Sequence, residues 1–177
     1  MRAVQVNGLG YPAIIVRNLQ ASLEFYTRTF GMQHLYTEPN RDDAESSQAL
    51  LHAGNDSYVM LIGPNDPNLK LADASLGVGS MQYLTLAVSG ETMDRAFFEL
   101  SSAGMQASEE ITRGYERLVF MEDPNGVLVL LTAWATEPPA GMARADVLAR
   151  ANALRESQGS PFVEDMHIRQ AIAELNS

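Results

Sequence analysis

The feature that most constrains this chain is an internal repeat. Tyr11, Val16, Phe25 and Tyr26 stand 72 positions before Tyr83, Val88, Phe97 and Phe98. Gly31-Met32 stands 73 before Gly104-Met105, and Val59-Met60-Leu61 stands 70 before Val129-Leu130-Leu131. Each copy carries the same order of local signals. Residues 11–16 and 82–88 read as strands. Asn18 resembles an N-cap, and Leu19, Leu23, Tyr26 and Phe30 then share one helical stripe that Gly31 ends. Thr92 to Ala103 repeats that helix, with Met93, Ala96, Phe97 and Leu100 apolar, up to Gly104. Strand-like pieces follow at 32–37, 48–53 and 57–62, and again at about 105–111, 116–122 and 127–133. The turn Asp123-Pro124-Asn125-Gly126 separates the last two. Two βαβββ modules are the economical account.

The expected class is therefore α+β, two βαβββ modules with a helical C-terminal tail. The modules span 8–63 and 81–135. Residues 64–80 are rich in Pro and Gly without a period and form a linker. Residues 138–177 form the tail. There, Pro138-Pro139 and Gly141 break the pattern. Ala143 to Ser157 then reads as a helix with Val147, Leu148, Ala151 and Leu154 on its apolar side. Ser160-Pro161 resembles the start of a last helix running to about Leu175, with Ile168, Ile172 and Leu175 on one stripe. Helices this short need to dock, on the body or on a partner chain, so a homodimer is one expected arrangement.

Composition narrows the chemistry. With no cysteine among 177 residues, disulfides, thiolate metal sites and Cys nucleophiles are excluded. Twelve basic against 22 acidic residues give a net charge of -10, which disfavours nucleic acid and anionic membrane surfaces as partners. The longest apolar run, Val127 to Ala135, is broken by Thr132 and too short to span a bilayer. The N-terminal residues carry no long apolar stretch, so a cytoplasmic protein is expected. No serine sits in a nucleophile-elbow context, and the Gly8-Leu9-Gly10 stretch precedes a strand where a dinucleotide fingerprint would follow one.

The stretch from Ile15 to Tyr26, followed by Phe30-Gly31-Met32, resembles the vicinal oxygen chelate superfamily, the glyoxalase, bleomycin resistance and extradiol dioxygenase type. Phe120 to Gly126, before an apolar strand, is a second match. The resemblance covers about residues 8–135. It implies sheets that curl around a cleft. It also implies metal ligands on the first and last strand of each module, usually His and Glu. Registered on this chain, those positions are Tyr11, Met60, Tyr83 and Leu130. None is a good ligand for a divalent metal. The expectation is no metal and no cofactor.

Strand alternation then sorts the faces. Tyr11, Ala13 and Ile15 share a face with Tyr58, Met60 and Ile62. Their counterparts are Tyr83, Thr85 and Ala87 with Leu128, Leu130 and Thr132. The opposite faces carry Ile14, Val16, Val59, Leu61, Leu84, Leu86, Val88, Val129 and Leu131, as expected under a helix. The first set either lines a pocket or fills it; Ala13, Thr85 and Ala87 leave room. Arg113 and Tyr115 flank Gly114 in a turn that can overhang the cleft, where Arg suits a carboxylate or phosphate but can equally pair with nearby glutamates. The candidate ligand-binding set is Tyr11, Tyr58, Met60, Tyr83, Thr85, Arg113, Tyr115 and Leu130. His34, His52 and His167 show no ligand spacing, and no catalytic residue is assigned: a general-base role for His34 or His52 stands against a plain surface or hydrogen-bonded histidine. The expected function is a metal-independent cleft for a small apolar or aromatic organic molecule, in a binding or resistance-type role. The alternatives are an enzyme of glyoxalase or dioxygenase type with altered residues, and an interaction module whose cleft is closed.

Overall fold

The computed structural model describes residues 6–73, 75 and 77–176. It holds two four-stranded sheets of like topology, in an α+β fold. The chain divides into two units. One comprises the residues up to Gln82 together with Glu122–Val127. The other comprises Tyr83–Met121 and the residues from Leu128 onward.

In the first unit, β1 (Ala13–Ile15) leads to α1 (Leu19–Phe30), then to β2 (Gln33–Pro39), β3 (Ser46–Gly54) and β4 (Ser57–Pro64). The sheet order is β1-β4-β3-β2, with β1 parallel to β4 and the rest antiparallel. The helix begins where Asn18, in extended backbone, accepts from the Ala21 N–H. It ends at Gly31, whose φ of 65° is left-handed. Ile14, Val16, Leu23, Tyr26, Leu51, Val59 and Leu61 are buried together on the helix side. Asn55 and Asp56 at φ 47° and 56° make the tight β3–β4 turn.

The turn segment 122–127 completes this unit. The buried Tyr26 phenol donates to Asp123 Oδ2 at 3.1 Å. Asp123 Oδ1 accepts from the Asn125 and Val127 N–H groups at 2.8 and 2.9 Å. Asn125 donates to Ser22 Oγ and accepts from the Arg17 N–H. Every member thus has partners, as a buried polar group requires.

In the second unit, β5 (Leu84–Ala87) leads to α2 (Gly90–Ser102), β6 (Ile111–Arg113), β7 (Glu116–Glu122) and β8 (Leu128–Trp134), in sheet order β5-β8-β7-β6. Ser89 caps α2 by accepting from Thr92 N–H. The strand expected over 105–111 is shorter and later: Ala107 makes one isolated bridge to Met121, and regular pairing starts only at Ile111.

The tail forms two packed helices, α3 (Arg144–Ser157) and α4 (Asp165–Leu175). Val147, Ala151, Leu154, Ile168 and Ala171 pack with Trp134 of β8 into one core, with Tyr115, Leu148, Val163 and Ile172 at its edge. Two sequence expectations are corrected here. Ser160-Pro161 does not start the last helix; Glu164 does, accepting from its third residue while His167 Nδ1 accepts from the Glu164 N–H. Leu175 is 45% exposed, and the buried stripe runs instead through His167, Ile168 and Ala171.

Candidate functional site

Parallel pairing fixes which side chains share a face. In the first sheet, Ala13 lies beside Met60 and Ile15 beside Ile62. β3 adds Gln48, Leu50 and His52 opposite Ile62, Met60 and Tyr58. A register shift between His34 and Tyr36 turns Tyr36 and Glu38 onto that same face, opposite Leu50 and Gln48. This face turns away from α1. Ile15 and Tyr36 on this side are 70% and 42% exposed, and Tyr11, two residues before β1 begins, is 54% exposed, whereas the helix-side Val16, Leu51 and Leu61 are fully buried. Met60, on a central strand, is itself buried. Gln48 donates to Glu38 at 2.9 Å, and the His52 ring lies 5.5 Å from the Tyr58 ring.

Tyr58 and Met60 are therefore neighbours on one open face. Gln48, Leu50, His52 and Tyr36 belong with them. Alternation along β3 marks Gln48, Leu50 and His52 in the sequence. The bulge in β2 leaves no sequence signal. His34 lies on the other face, with Nε2 2.8 Å from Thr37 Oγ1, and His167 is buried in the tail.

In the second sheet, Thr85 lies beside Leu130 and Ala87 beside Thr132. Ile111 faces Leu118 and Arg113 faces Glu116 across β6–β7. On the other face of β7, Arg117 points to the helix. Arg117 reaches Asp94 of α2 at 2.6 Å and Glu110 at 2.7 Å, and burial of Val119 and Met121 is nearly complete. On the open face Glu116 is the hub. It accepts from Arg113 Nη2 and from Thr132 Oγ1, each at 3.3 Å. The bond to Glu116 raises the Arg113 pKa above its ordinary value, and the nearby Tyr83 phenol adds a smaller contribution. Tyr83, Arg113, Glu116 and Thr132 thus form a polar group around an apolar floor of Leu118 and Leu130.

Of the sequence candidates, Tyr83, Thr85, Arg113 and Leu130 belong to this second sheet and its edge. Tyr115 stands apart from them. Its ring packs edge-on against Trp134, 5.1 Å between centroids, at the border of the tail core. Burial raises its pKa, with Glu116 adding and Arg113 opposing.

The metal positions implied by the resemblance hold two phenols, a buried thioether and a buried aliphatic side chain. Met60 is 4% and Leu130 5% exposed. Among the described residues no three His, Asp or Glu side chains gather where a metal ion could sit. Hard and borderline divalent ions need imidazole or carboxylate donors, so the residues at these positions do not fit one. No described helix is long and apolar enough to cross a membrane.

Comparison with known proteins agrees with this architecture. Among solved structures, the glyoxylase/bleomycin resistance protein/dioxygenase domain from Frankia sp. EAN1pec superposes with a TM-score of 0.64. It is 14% identical, over 73% of this chain and 99% of that one. The fosfomycin resistance protein FosX from Listeria monocytogenes gives 0.57 at 15% identity, over 74% of this chain and 96% of that one. FosX from Mesorhizobium loti gives 0.54 at 16%, over 82% and 100%. At such identities the likeness is one of fold. No curated protein matches the chain. The family model described as Glyoxalase/Bleomycin resistance protein/Dioxygenase superfamily matches residues 8–131, and to that superfamily this chain belongs.

Proposed function

We propose that this protein binds a small, mainly apolar or aromatic organic molecule on the open faces of its sheets, without a metal ion. The observation that carries the reading is the contrast between the two sides of each sheet. The helix sides are sealed, while the other sides bury Met60, Leu118 and Leu130 at their centres and leave Ile15 and Tyr36 in one unit and Ile111 and Phe120 in the other with much of their apolar surface in water. Apolar surface left in water on one side of a sheet is surface that a ligand or partner would cover. The polar group around Glu116 supplies a few directional contacts, as small-molecule sites commonly do. One FosX structure from Listeria monocytogenes carries Mn(II) and 1S,2S-dihydroxypropylphosphonic acid. The donors that this chain offers at the implied positions argue for a different, metal-free use of the fold.

A second reading, an enzyme working with altered residues, is favoured by His52 beside Tyr58 on the first open face. An imidazole beside a phenol is a pair that can pass a proton to or from a ligand.

The test is a panel of neutral aromatic and aliphatic compounds, followed by NMR shifts in chelator-treated protein. Binding is expected to move resonances of open-face residues such as Tyr58, Thr85 and Leu130. Tyr83→Phe should weaken it by roughly 0.5–1.5 kcal/mol, one hydrogen bond, with an unchanged melting temperature. Shifts confined to helix-side residues, or no binding from the whole panel, defeat the proposal. Turnover lost in His52→Gln would establish the enzymatic reading.

A further inference from the structure

The first unit contains a hollow that the open-face reading does not use. It measures about 350 Å³ and is lined by Ile15, Arg17, Leu71, Ala72, Asn125 and Val127. Only Ile15 belongs to the sheet residues discussed above; the others come from the end of β1, the linker and the 122–127 turn. The volume falls within the range of small-molecule sites. Four of the six residues are apolar, and the polar ones are clustered.

Arg17 is the cation of this hollow, and its position is fixed. Its N–H donates to Asn125 Oδ1 at 2.9 Å, and its Nη1 donates to the Asn125 carbonyl oxygen at 3.3 Å. Asn125 is in turn held by Asp123 and Ser22. The guanidinium is thereby presented, not trailing in solvent. Its other terminal nitrogen, Nη2, pairs with the Asp73 carboxylate on the linker. The Asp73 side chain is 91% exposed, so the arginine touches this carboxylate at the surface, two residues along the linker from Leu71.

We infer that this hollow binds a small monocarboxylate with an apolar body, and that Asp73 takes the place of its carboxylate when no ligand is bound. The partner already on Arg17 defines the chemistry: one guanidinium facing one carboxylate. A single arginine on a chain of net charge -10 matches a monoanion better than a phosphate dianion. Ile15, Leu71, Ala72 and Val127 meet the apolar body. Exchange of Asp73 for the ligand is inexpensive, because an exposed ion pair contributes little. Asp73 thus acts as a weak internal competitor. Ligand binding also releases the linker from Arg17.

The experiment uses the full chain and two probes of nearly equal shape, benzoate and neutral benzamide, titrated at low salt and followed by NMR and calorimetry. Benzoate is expected to bind at least about tenfold more tightly than benzamide, shifting Arg17, Asn125 and Ile15 resonances. Asp73→Asn removes the competitor and should tighten benzoate binding about two- to fivefold, leaving benzamide unchanged. Arg17→Gln should reduce benzoate to the benzamide level. Should Arg17→Gln fail to fold, the comparison of wild type with Asp73→Asn decides alone, since Asp73 carries no packing. Equal affinity for the two probes overturns the inference. So does Asp73→Asn that leaves benzoate binding unchanged or weaker, or a benzoate shift confined to Thr85, Leu130 and Arg113, which would put the probe on the second sheet.

Discussion

Gly114→Ala tests how the tail is held. Gly114 sits in the β6–β7 turn at φ +64°, and a Cβ built there would lie 2.7 Å from the Val163 carbonyl oxygen. That oxygen belongs to backbone just before α4 and cannot swing aside as a side chain would. Gly31 provides the ruler. Its φ is +65°, and a Cβ there meets nothing within 4 Å. Both substitutions place alanine in left-handed backbone, at a cost of about 1–2 kcal/mol. Both also reduce unfolded-state entropy by the same amount, so that contribution cancels in the comparison. The clash is the remaining difference. Overpacking a fitted contact costs typically 1–3 kcal/mol. Gly114→Ala should therefore destabilise by about 2–5 kcal/mol, and by at least 1 kcal/mol more than Gly31→Ala. Urea unfolding monitored by Trp134 fluorescence and by far-UV circular dichroism measures both. Equal destabilisation of the two variants within 0.5 kcal/mol, roughly the error of such differences, would refute the close approach of the turn and the tail.

Four further variants probe the packing and the polar contacts. Ile168→Ala, in the core with Trp134 and Val147, should cost about 2–5 kcal/mol in urea unfolding, and truncation at Pro138 should lower the melting temperature well beyond error. An unchanged melt after truncation would mean the tail does not dock. Tyr26→Phe removes a buried donor to Asp123 and should cost about 1.5–3 kcal/mol. Burial, with Asp123, raises the folded Tyr26 pKa above its unfolded value near 10. The associated stability is present in full below that pH and is lost as pH rises above it. The wild type should weaken above about pH 10, Tyr26→Phe less steeply, and parallel alkaline limbs would count against the account. Hydrogen bonding to Arg117 lowers the Glu110 pKa, so that contribution exists above the unfolded carboxylate value near 4.3 and fades as pH falls below it. Arg117→Gln should cost up to about 1 kcal/mol at neutral pH and little at pH 3; an equal cost at both would show the pair to be inert.

The repeat made the fold legible because its signals are local: Asn18 before a stripe, Gly31 after it, apolar alternation in β1, β4, β5 and β8. Those residues behave as the pattern requires, down to the sealed Val16, Leu61, Val129 and Leu131. What escaped was set by non-local contacts. Leu175 fits a helical stripe as well as Ile168 does, but α4 packs through Ala171 and His167. The start of α4 was hidden because Glu164 and His167 make a reciprocal cap with the residue types of the usual Ser/Thr and Glu motif replaced. Ser160-Pro161 carried the stronger local signal and lost. In the candidate site, the bulge in β2 that turns Tyr36 beside Leu50 has no sequence marker. Tyr115 shares a turn with Arg113 and Gly114, and its ring packs against Trp134.

The central claim is that this member of the superfamily uses its open faces without a metal ion, because Tyr11, Met60, Tyr83 and Leu130 replace the implied donors. The direct measurement is elemental analysis of protein expressed in medium supplemented with Mn, Fe, Ni and Zn, paired with ligand titrations before and after chelator treatment. The account predicts far less than one metal ion per chain and ligand affinity that the chelator does not change. About one metal ion per chain, lost in Tyr11→Phe or Tyr83→Phe and required for ligand binding, would contradict it.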